Sequence, residues 1–567
     1  MKMLVKLRKL LKTYSLDAYI VPKNDEFFSE YAFPNRLKTI SNFSGSAGFS
    51  IITNKVNYLF VDGRYLIQSK LESGKKFNII EIPYTYPKDI LDYNKHKKIG
   101  YDPKLFASST LERYFGNKYQ LIPIKKNLVD LILLEKQKKE APFFKIDDKI
   151  AGETVASKID RLSKIVKKNK SDNIFVSAPE NVAWLLNIRG KDNPNSPIPN
   201  ARLIMDKRKN IFFFSNLNKI KNIKNKINYK KIKFYSFNEF YIILLKLDSL
   251  SFTIDKLTCS IFYQSLIHSK YKINNFEDPI YHLKSIKNNT EIENMRTAHI
   301  KDGVALTKFL YWIKQNKNFG FDELSLEKKL EFFRKKNKDY IYPSFNTIAG
   351  SGPNSAIIHY RSSKKTNRKI KKNDIFLCDS GGQYKYGTTD VTRTVCFKKP
   401  SEKIKNIFTR VLKGHIAVAT HNLNNIRKGY LIDKKARAAL NKINLDYGHG
   451  TGHGVGFFSN VHEGPQAISK FNSVELKEGM IVSNEPGYYK EGKFGIRIEN
   501  LVYIEKKNNK LKFKNLTMAP IDKDLINENL LTSNEKKYLI NYNLEIYNNI
   551  SKFLDKNERA WLLNSIQ

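Results

Sequence analysis

Five residues in the C-terminal half carry side chains that together suit divalent-metal chemistry: Asp379, Asp390, His453, Glu485 and Glu499. The first two share one stretch, IFLCDSGGQYKYGTTDVTRTVCF (375–397), whose apolar ends flank a centre rich in Gly, Tyr and Thr. That pattern predicts a strand–turn–strand hairpin with both aspartates near the inner ends of the strands, on one face. Two carboxylates pressed together repel, which costs stability unless a cation sits between them. A lone Asp pair in a turn is more often solvated than functional. The downstream residues shift that balance: His453 in HGTGHGVG, Glu485 in NEPGYY and Glu499 in GIRIEN all sit in Gly-rich or strand-like settings. One imidazole with four carboxylates is a hard, oxygen-rich ligand set that suits two divalent ions better than one structural zinc. On softness and geometry it favours Mn²⁺ over Zn²⁺.

Two such ions sharing carboxylates hold a bridging water, lower its pKa and present hydroxide at neutral pH. An unligated imidazole nearby is then useful for holding a scissile carbonyl or passing a proton. The chain offers His359 in AIIHYRS, His449 at the start of HGTGHG, and His462 in NVHEGP. Arg497 lies two residues before Glu499 on an expected strand and so shares its face. It is placed to buttress a ligand carboxylate or to hold substrate; an ion pair with Glu485 or Asp390 is the plainer expectation.

These residues and the words around them resemble the dinuclear centre of the pita-bread metallopeptidases, the family of methionine aminopeptidase, prolidase and aminopeptidase P. HGTGHGVGFFSNVHEGP and IVSNEPGYYKEGKFGIRIEN are most similar to aminopeptidase P in its long, three-domain form. The resemblance runs from DAYIVPKNDEFFSEY, NFSGSAGF and VDGRY through WLLNIRGKDNP to the C-terminal helices. It implies an α/β (α+β) chain: two creatinase-like N-terminal domains at 1–135 and 143–285, a pita-bread catalytic domain at 286–510, and a C-terminal helical extension at 511–567. It also implies an aminopeptidase that removes the N-terminal residue from peptides with proline second, using a hydroxide that bridges two divalent ions. Asp379 would chelate one ion and Glu485 and Glu499 would bridge both, with Glu485 also part of the catalytic set. His359, His449, His453, His462 and Arg497 would meet the substrate, with His462 stabilising the gem-diolate. Arg64 of VDGRY would reach toward the substrate too; without the family, Asp62 and Arg64 read as a surface turn.

A prolidase acting on Xaa-Pro dipeptides is the nearest alternative, disfavoured by the long N-terminal half and the helical extension. A non-catalytic member of the fold that binds nucleic acid or protein is the other. Its support is the formal net charge of +45. That excess is spread along the chain with Asn and Ile, as in NKIKNIKNKINYKKIK (218–233), not gathered in one motif with stacking aromatics. Compositional drift therefore explains it better than a specific nucleic-acid partner.

At 567 residues the chain exceeds one ordinary core. No apolar run approaches the roughly 20 residues a membrane helix needs. The three cysteines, Cys259, Cys378 and Cys396, show no CxxC or framework spacing, so a reducing cytoplasm is expected. A homodimer is the expected assembly. Leu4, Leu7 and Leu11 recur at helical spacing, which predicts a first helix belonging to the first domain. Glu135–Glu140 with Ala141–Pro142 reads as a linker. The catalytic domain opens with a predicted capping box at Thr290/Glu293, and His299 on that helix reads as a core histidine. Further boxes at Thr532/Glu535 and Asp555/Glu558 start two C-terminal helices, whose Tyr542, Ile546, Ile550, Phe553 and Trp561 call for burial.

Overall fold

The computed structural model describes residues 2–133, 140–316 and 320–566 and divides into two compact units, Met1–Tyr281 and His282–Gln567. Residues 135–139 of the expected linker lie outside the described residues. In the N-terminal unit, the helix Lys2–Thr13 buries Leu4, Leu7 and Leu11 in one core with Tyr19 and Val21. The leucine periodicity thus marks an element of the first domain.

Two six-stranded sheets build that unit. In the first, Ala18–Pro22, Phe49–Thr53 and Asn57–Val61 pair antiparallel, and parallel strands extend both sides of them. The second repeats the same order and the same pairing directions, with Asn173–Val176, Arg202–Asp206 and Ile211–Phe214 as its antiparallel centre. Asn173–Val176 is buried along its whole length, the pattern of a strand covered on both faces.

The C-terminal unit is led by the long helix Asn289–Gln315. Its capping box closes two residues earlier than Thr290/Glu293. Asn288 Oδ1 accepts from the Glu291 N–H at 2.9 Å, and the Asn288 N–H donates to Glu291 Oε2 at 3.0 Å. Asn caps as well as Ser or Thr, so the Thr-based motif pointed to the wrong turn. His299 is buried on this helix with Nδ1 2.7 Å from Met295 O, and burial lowers its pKa: a core histidine.

The expected hairpin is present: Ile375–Ser380 pairs antiparallel with Val391–Cys396, Asp379 opposite Thr392. The intervening residues do more than turn. Gly382–Tyr384 and Gly387–Thr388 form a second, inner hairpin that joins Tyr340–Pro343 in a separate three-stranded sheet. A five-stranded sheet, in the order Glu463–Ile468, Gly452–Gly454, Ile481–Asn484, Asn500–Lys507, Lys510–Asn515, carries the downstream motifs. The helices Glu402–Ala419 and Gly429–Asn441 lie in the chain between the hairpin and this sheet.

The two C-terminal helices start at the predicted boxes, Thr532/Glu535 and Asp555/Glu558. Tyr542, Ile546 and Ile550 join Phe408, Val411 and Leu412 in one core, so the extension docks on the rest of the C-terminal unit. Tyr542 OH donates to Ala519 O at 2.8 Å and accepts from Arg393 Nη2 at 2.9 Å. Trp561 is half-buried, but Phe553 stays 51% exposed, contrary to its periodicity. Among the described residues no helix is long and apolar enough to cross a membrane.

Candidate metal centre

Four of the five side chains sit at or beside a strand end and the fifth within a short strand, so backbone pairing fixes their directions. Asp379 is the penultimate residue of Ile375–Ser380, and Asp390 immediately precedes Val391–Cys396. His453 is central in the short strand Gly452–Gly454. Glu485 follows Ile481–Asn484, and its N–H donates to Thr451 O at 2.8 Å. Glu499 lies in the break between Phe494–Arg497 and Asn500–Lys507, and its N–H donates to Thr392 O at 3.2 Å. Residues from four separated stretches therefore meet where two sheets face each other, joined at this point by the Glu499–Thr392 backbone bond.

His453 Nε2 is 3.5 Å from both Asp390 Oδ2 and Glu485 Oε1, and one ligand atom from each of Asp390, His453 and Glu499 fits within 4.8 Å. His453 Nδ1 lies 2.9 Å from Gly454 O, the contact of a protonated Nδ1, which turns Nε2 toward the two carboxylates. Carboxylates gathered around that nitrogen repel one another and call for positive charge among them. Asp379 Oδ1 and Asp390 Oδ1 are also buried without a hydrogen-bond partner, which is costly for a carboxylate oxygen. Donor set, tautomer and orphaned oxygens all fit hard divalent cations.

The electrostatics say the same. Burial, then repulsion from Asp379 and Glu485, pushes the Asp390 carboxyl well above the usual range. Burial, then Asp390 and Glu485, does so for Glu499. Burial raises Glu485 as well, although His453 and Arg497 pull against it. Arg497 is the buried counter-cation, and it pairs with Asp379 (Nη2–Oδ2 2.6 Å), not with the expected Glu485 or Asp390. Its other bonds run to Tyr489 OH at 2.6 Å and Thr392 Oγ1 at 3.0 Å. Thr392 in turn donates to Glu499 Oε2 at 2.8 Å.

The candidate substrate residues fall around this centre unequally. The His462 ring is 4.4 Å from that of His453, edge to face. His449 Nε2 is 2.9 Å from Tyr489 OH, and so links through Tyr489 and Arg497 to Asp379. His359 follows Ile358, whose carbonyl lies 3.4 Å from Arg497 Nη1. Arg64 belongs to the other unit, where it forms a two-pronged ion pair with Asp62 at 2.8 Å and lies over the Tyr65 ring.

Sequence reasoning missed Thr392 and Tyr489. The signal for Thr392 was the register opposite Asp379; Tyr489, in NEPGYY, had none beyond its neighbours. The glycines of HGTGHGVG allow close packing within the protein. A Cβ on Gly452 would lie 1.9 Å from Ser483 O, and one on Gly454 2.3 Å from Glu463 O. A second acidic group, Cys396 with Asp522 and Asp524, already holds a cation: Lys314 Nζ is 2.6 Å from Asp522 and 3.1 Å from Asp524.

Known families match along the length of the chain. Residues 293–506 match metallopeptidase family M24 and residues 509–567 the C-terminal region of peptidase M24. Residues 3–131 and 135–291 each match a creatinase/prolidase N-terminal domain. A probable Xaa-Pro aminopeptidase P of Laccaria bicolor is 39% identical over 99% of this chain and 92% of its own length. The crystal structure of an X-prolyl aminopeptidase from Caenorhabditis elegans, described as a cytosolic enzyme with a di-nuclear active site, superposes with a TM-score of 0.92. It is 29% identical and covers 100% of this chain and 99% of that one. A recombinant prolidase from Thermococcus sibiricus, 28% identical, reaches a TM-score of 0.53; the match takes in 65% of this chain and 98% of the prolidase. With its relatives matched from end to end and each domain model in order, this chain belongs to the M24 metallopeptidases, among the Xaa-Pro aminopeptidase P proteins with paired creatinase-type N-terminal domains.

Proposed function

We propose that this chain is a metal-dependent aminopeptidase that hydrolyses the first peptide bond of substrates with proline in second position. The observation that carries the proposal is the buried cluster of Asp379, Asp390, His453, Glu485 and Glu499, whose negative charge exceeds what Arg497 alone offsets. We assign these five as ligands of two divalent ions, with Mn²⁺ preferred for the oxygen-rich set. When bound, the ions supply Lewis acidity and an activated water for attack on the scissile carbonyl.

The remaining roles belong to the protein. Arg497 holds Asp379 in place and, through Tyr489, fixes His449. We assign His462, beside the His453 ring, to donate toward the oxygen on which charge develops. His359 and His449 are assigned to the walls that receive the proline ring, and His453 and Arg497 border the same space. A bond before proline has a tertiary nitrogen and a fixed φ, so a preformed pocket gains orientation from its rigidity. Glu485 would take part as a ligand of the ions. Arg64 remains assigned to substrate binding on resemblance alone. A cytoplasmic homodimer without a specific nucleic-acid partner completes the reading; the location alone accords with the Caenorhabditis elegans enzyme, which is described as cytosolic.

A matched substrate set tests the proposal: Xaa-Pro-Pro, Xaa-Ala-Pro, N-acetyl-Xaa-Pro-Pro and Gly-Pro, each assayed with Mn²⁺. Only the first should be cleaved efficiently. Comparable cleavage of the alanine peptide would mean a broad aminopeptidase, and cleavage of the acetylated peptide would remove the aminopeptidase reading. Turnover of Gly-Pro alone would make the enzyme a prolidase.

A further inference from the structure

Immediately after His462, Glu463 is buried between two buried lysines. Lys287 Nζ lies 2.5 Å from Glu463 Oε1 and Lys284 Nζ 2.9 Å from Oε2, and the three side chains are only 1–3% exposed. Burying three charged groups is a poor route to stability, because well-packed apolar side chains of similar volume do as well or better. What such a cluster gives is a fixed geometry. Glu463 opens the strand Glu463–Ile468, which pairs with the strand of His453, and the register shifts between His453 and Gly454. Two glycines close the gap: a Cβ on Gly454 would lie 2.3 Å from Glu463 O, and one on Gly456 3.0 Å from Glu463 Oε2. Both the backbone and the carboxylate of Glu463 are therefore locked, one peptide unit from a histidine whose ring is 4.4 Å from that of His453.

The lysines are anchored as firmly. Lys284 lies on the helix Pro279–Ser285, and Lys287 directly precedes the cap residue Asn288 of the long helix Asn289–Gln315. The Lys287 N–H donates to Gly479 O at 2.9 Å. We propose that Lys284, Lys287 and Glu463 form a buried clamp that positions His462 over the metal centre, an inference that rests on the catalytic role proposed above for His462. None of the three meets substrate; they are positioning residues, and they act through His462.

The test is a double-variant cycle. Lys287→Met and Lys284→Met each leave one Lys–Glu pair intact, whereas Glu463→Gln would leave both ammoniums buried without their carboxylate. Each lysine variant is made in the wild-type and in the His462→Ala background, and kcat, KM and bound Mn²⁺ are measured with an Xaa-Pro-Pro peptide. In the wild-type background kcat should fall about tenfold to a hundredfold, the range expected for a misplacement of about 1 Å. KM and metal content should hold. In the His462→Ala background the same substitutions should cost less than about twofold further, since the group they position is gone. Losses that multiply in that background, a change confined to KM, loss of metal, or unaltered kcat would each overturn the clamp, as would failure of both variants to fold. His462→Ala with wild-type kcat would instead remove the role of His462, and the clamp with it.

Discussion

Removing the metal should make stability depend on pH in a direction the buried carboxyls dictate. Asp390, Glu485 and Glu499 have folded-state pKa values raised by burial, with repulsion from neighbouring carboxylates strongest at Asp390 and Glu499. A carboxyl raised in this way keeps a proton that the unfolded chain releases near pH 4. Its contribution to metal-free stability is complete below about pH 4 and is lost as pH rises through the folded value. Bound ions displace those protons. Each proton displaced strengthens apparent metal binding about tenfold per pH unit, or ~1.4 kcal/mol. At free Mn²⁺ about 100 times Kd, one ion stabilises by ~2.7 kcal/mol, so two independent ions contribute about 5 kcal/mol. For a unit of this size that is a rise in Tm on the order of 10 °C. Calorimetry of chelated and Mn²⁺-loaded protein at pH 6 and pH 8, with free metal held constant, reads the effect. The metal-induced shift should be larger at pH 8. Equal shifts at the two pH values, or none, would refute the carboxylate account.

Two further outcomes follow from other parts of the molecule. Tyr542→Phe removes a hydroxyl that links Arg393 to Ala519 O in the core under the C-terminal helices. It should cost about 1–3 kcal/mol because buried partners are left unpaired, measurable by urea titration, with bound metal unchanged. The charge of +45 should give only salt-sensitive polyanion binding. Fluorescence anisotropy with a short DNA should show that association collapsing at physiological salt while peptide cleavage persists; sequence-selective binding that survived would restore the nucleic-acid reading.

Much of this was legible because the informative residues sit in local patterns. The hairpin of Ile375–Phe397, the leucines of the first helix and the boxes at Thr532/Glu535 and Asp555/Glu558 are set by neighbours a few residues away. Partner choice is not. Arg497 pairs with Asp379, 118 positions earlier, because the strand Phe494–Arg497 lies against the strands of the hairpin; spacing from Glu499 fixed its face but not its partner. The inner hairpin at Gly382–Thr388 was invisible because its pairing strand, Tyr340–Pro343, comes from another stretch. Glu463 shows the same limit, since Lys284 and Lys287 lie more than 170 positions away. The doubling of the N-terminal unit was legible only through the resemblance, as two creatinase-like domains; the strand order that the two sheets share is a matter of topology. Phe553 shows the opposite error, a helical periodicity extended past the last turn into an exposed connection.

The most direct test of the central claim is metal content and turnover measured together on wild type and Asp390→Ala. Asp390 stands at the centre of the cluster, within reach of His453 and under the influence of Asp379 and Glu485. The wild-type chain should carry two ions and cleave Xaa-Pro-Pro in their presence, with chelation abolishing activity and Mn²⁺ restoring it. Asp390→Ala should lose most bound metal and all measurable turnover, because the remaining ligands cannot hold both ions. Two tightly bound ions and normal turnover in that variant would contradict the account.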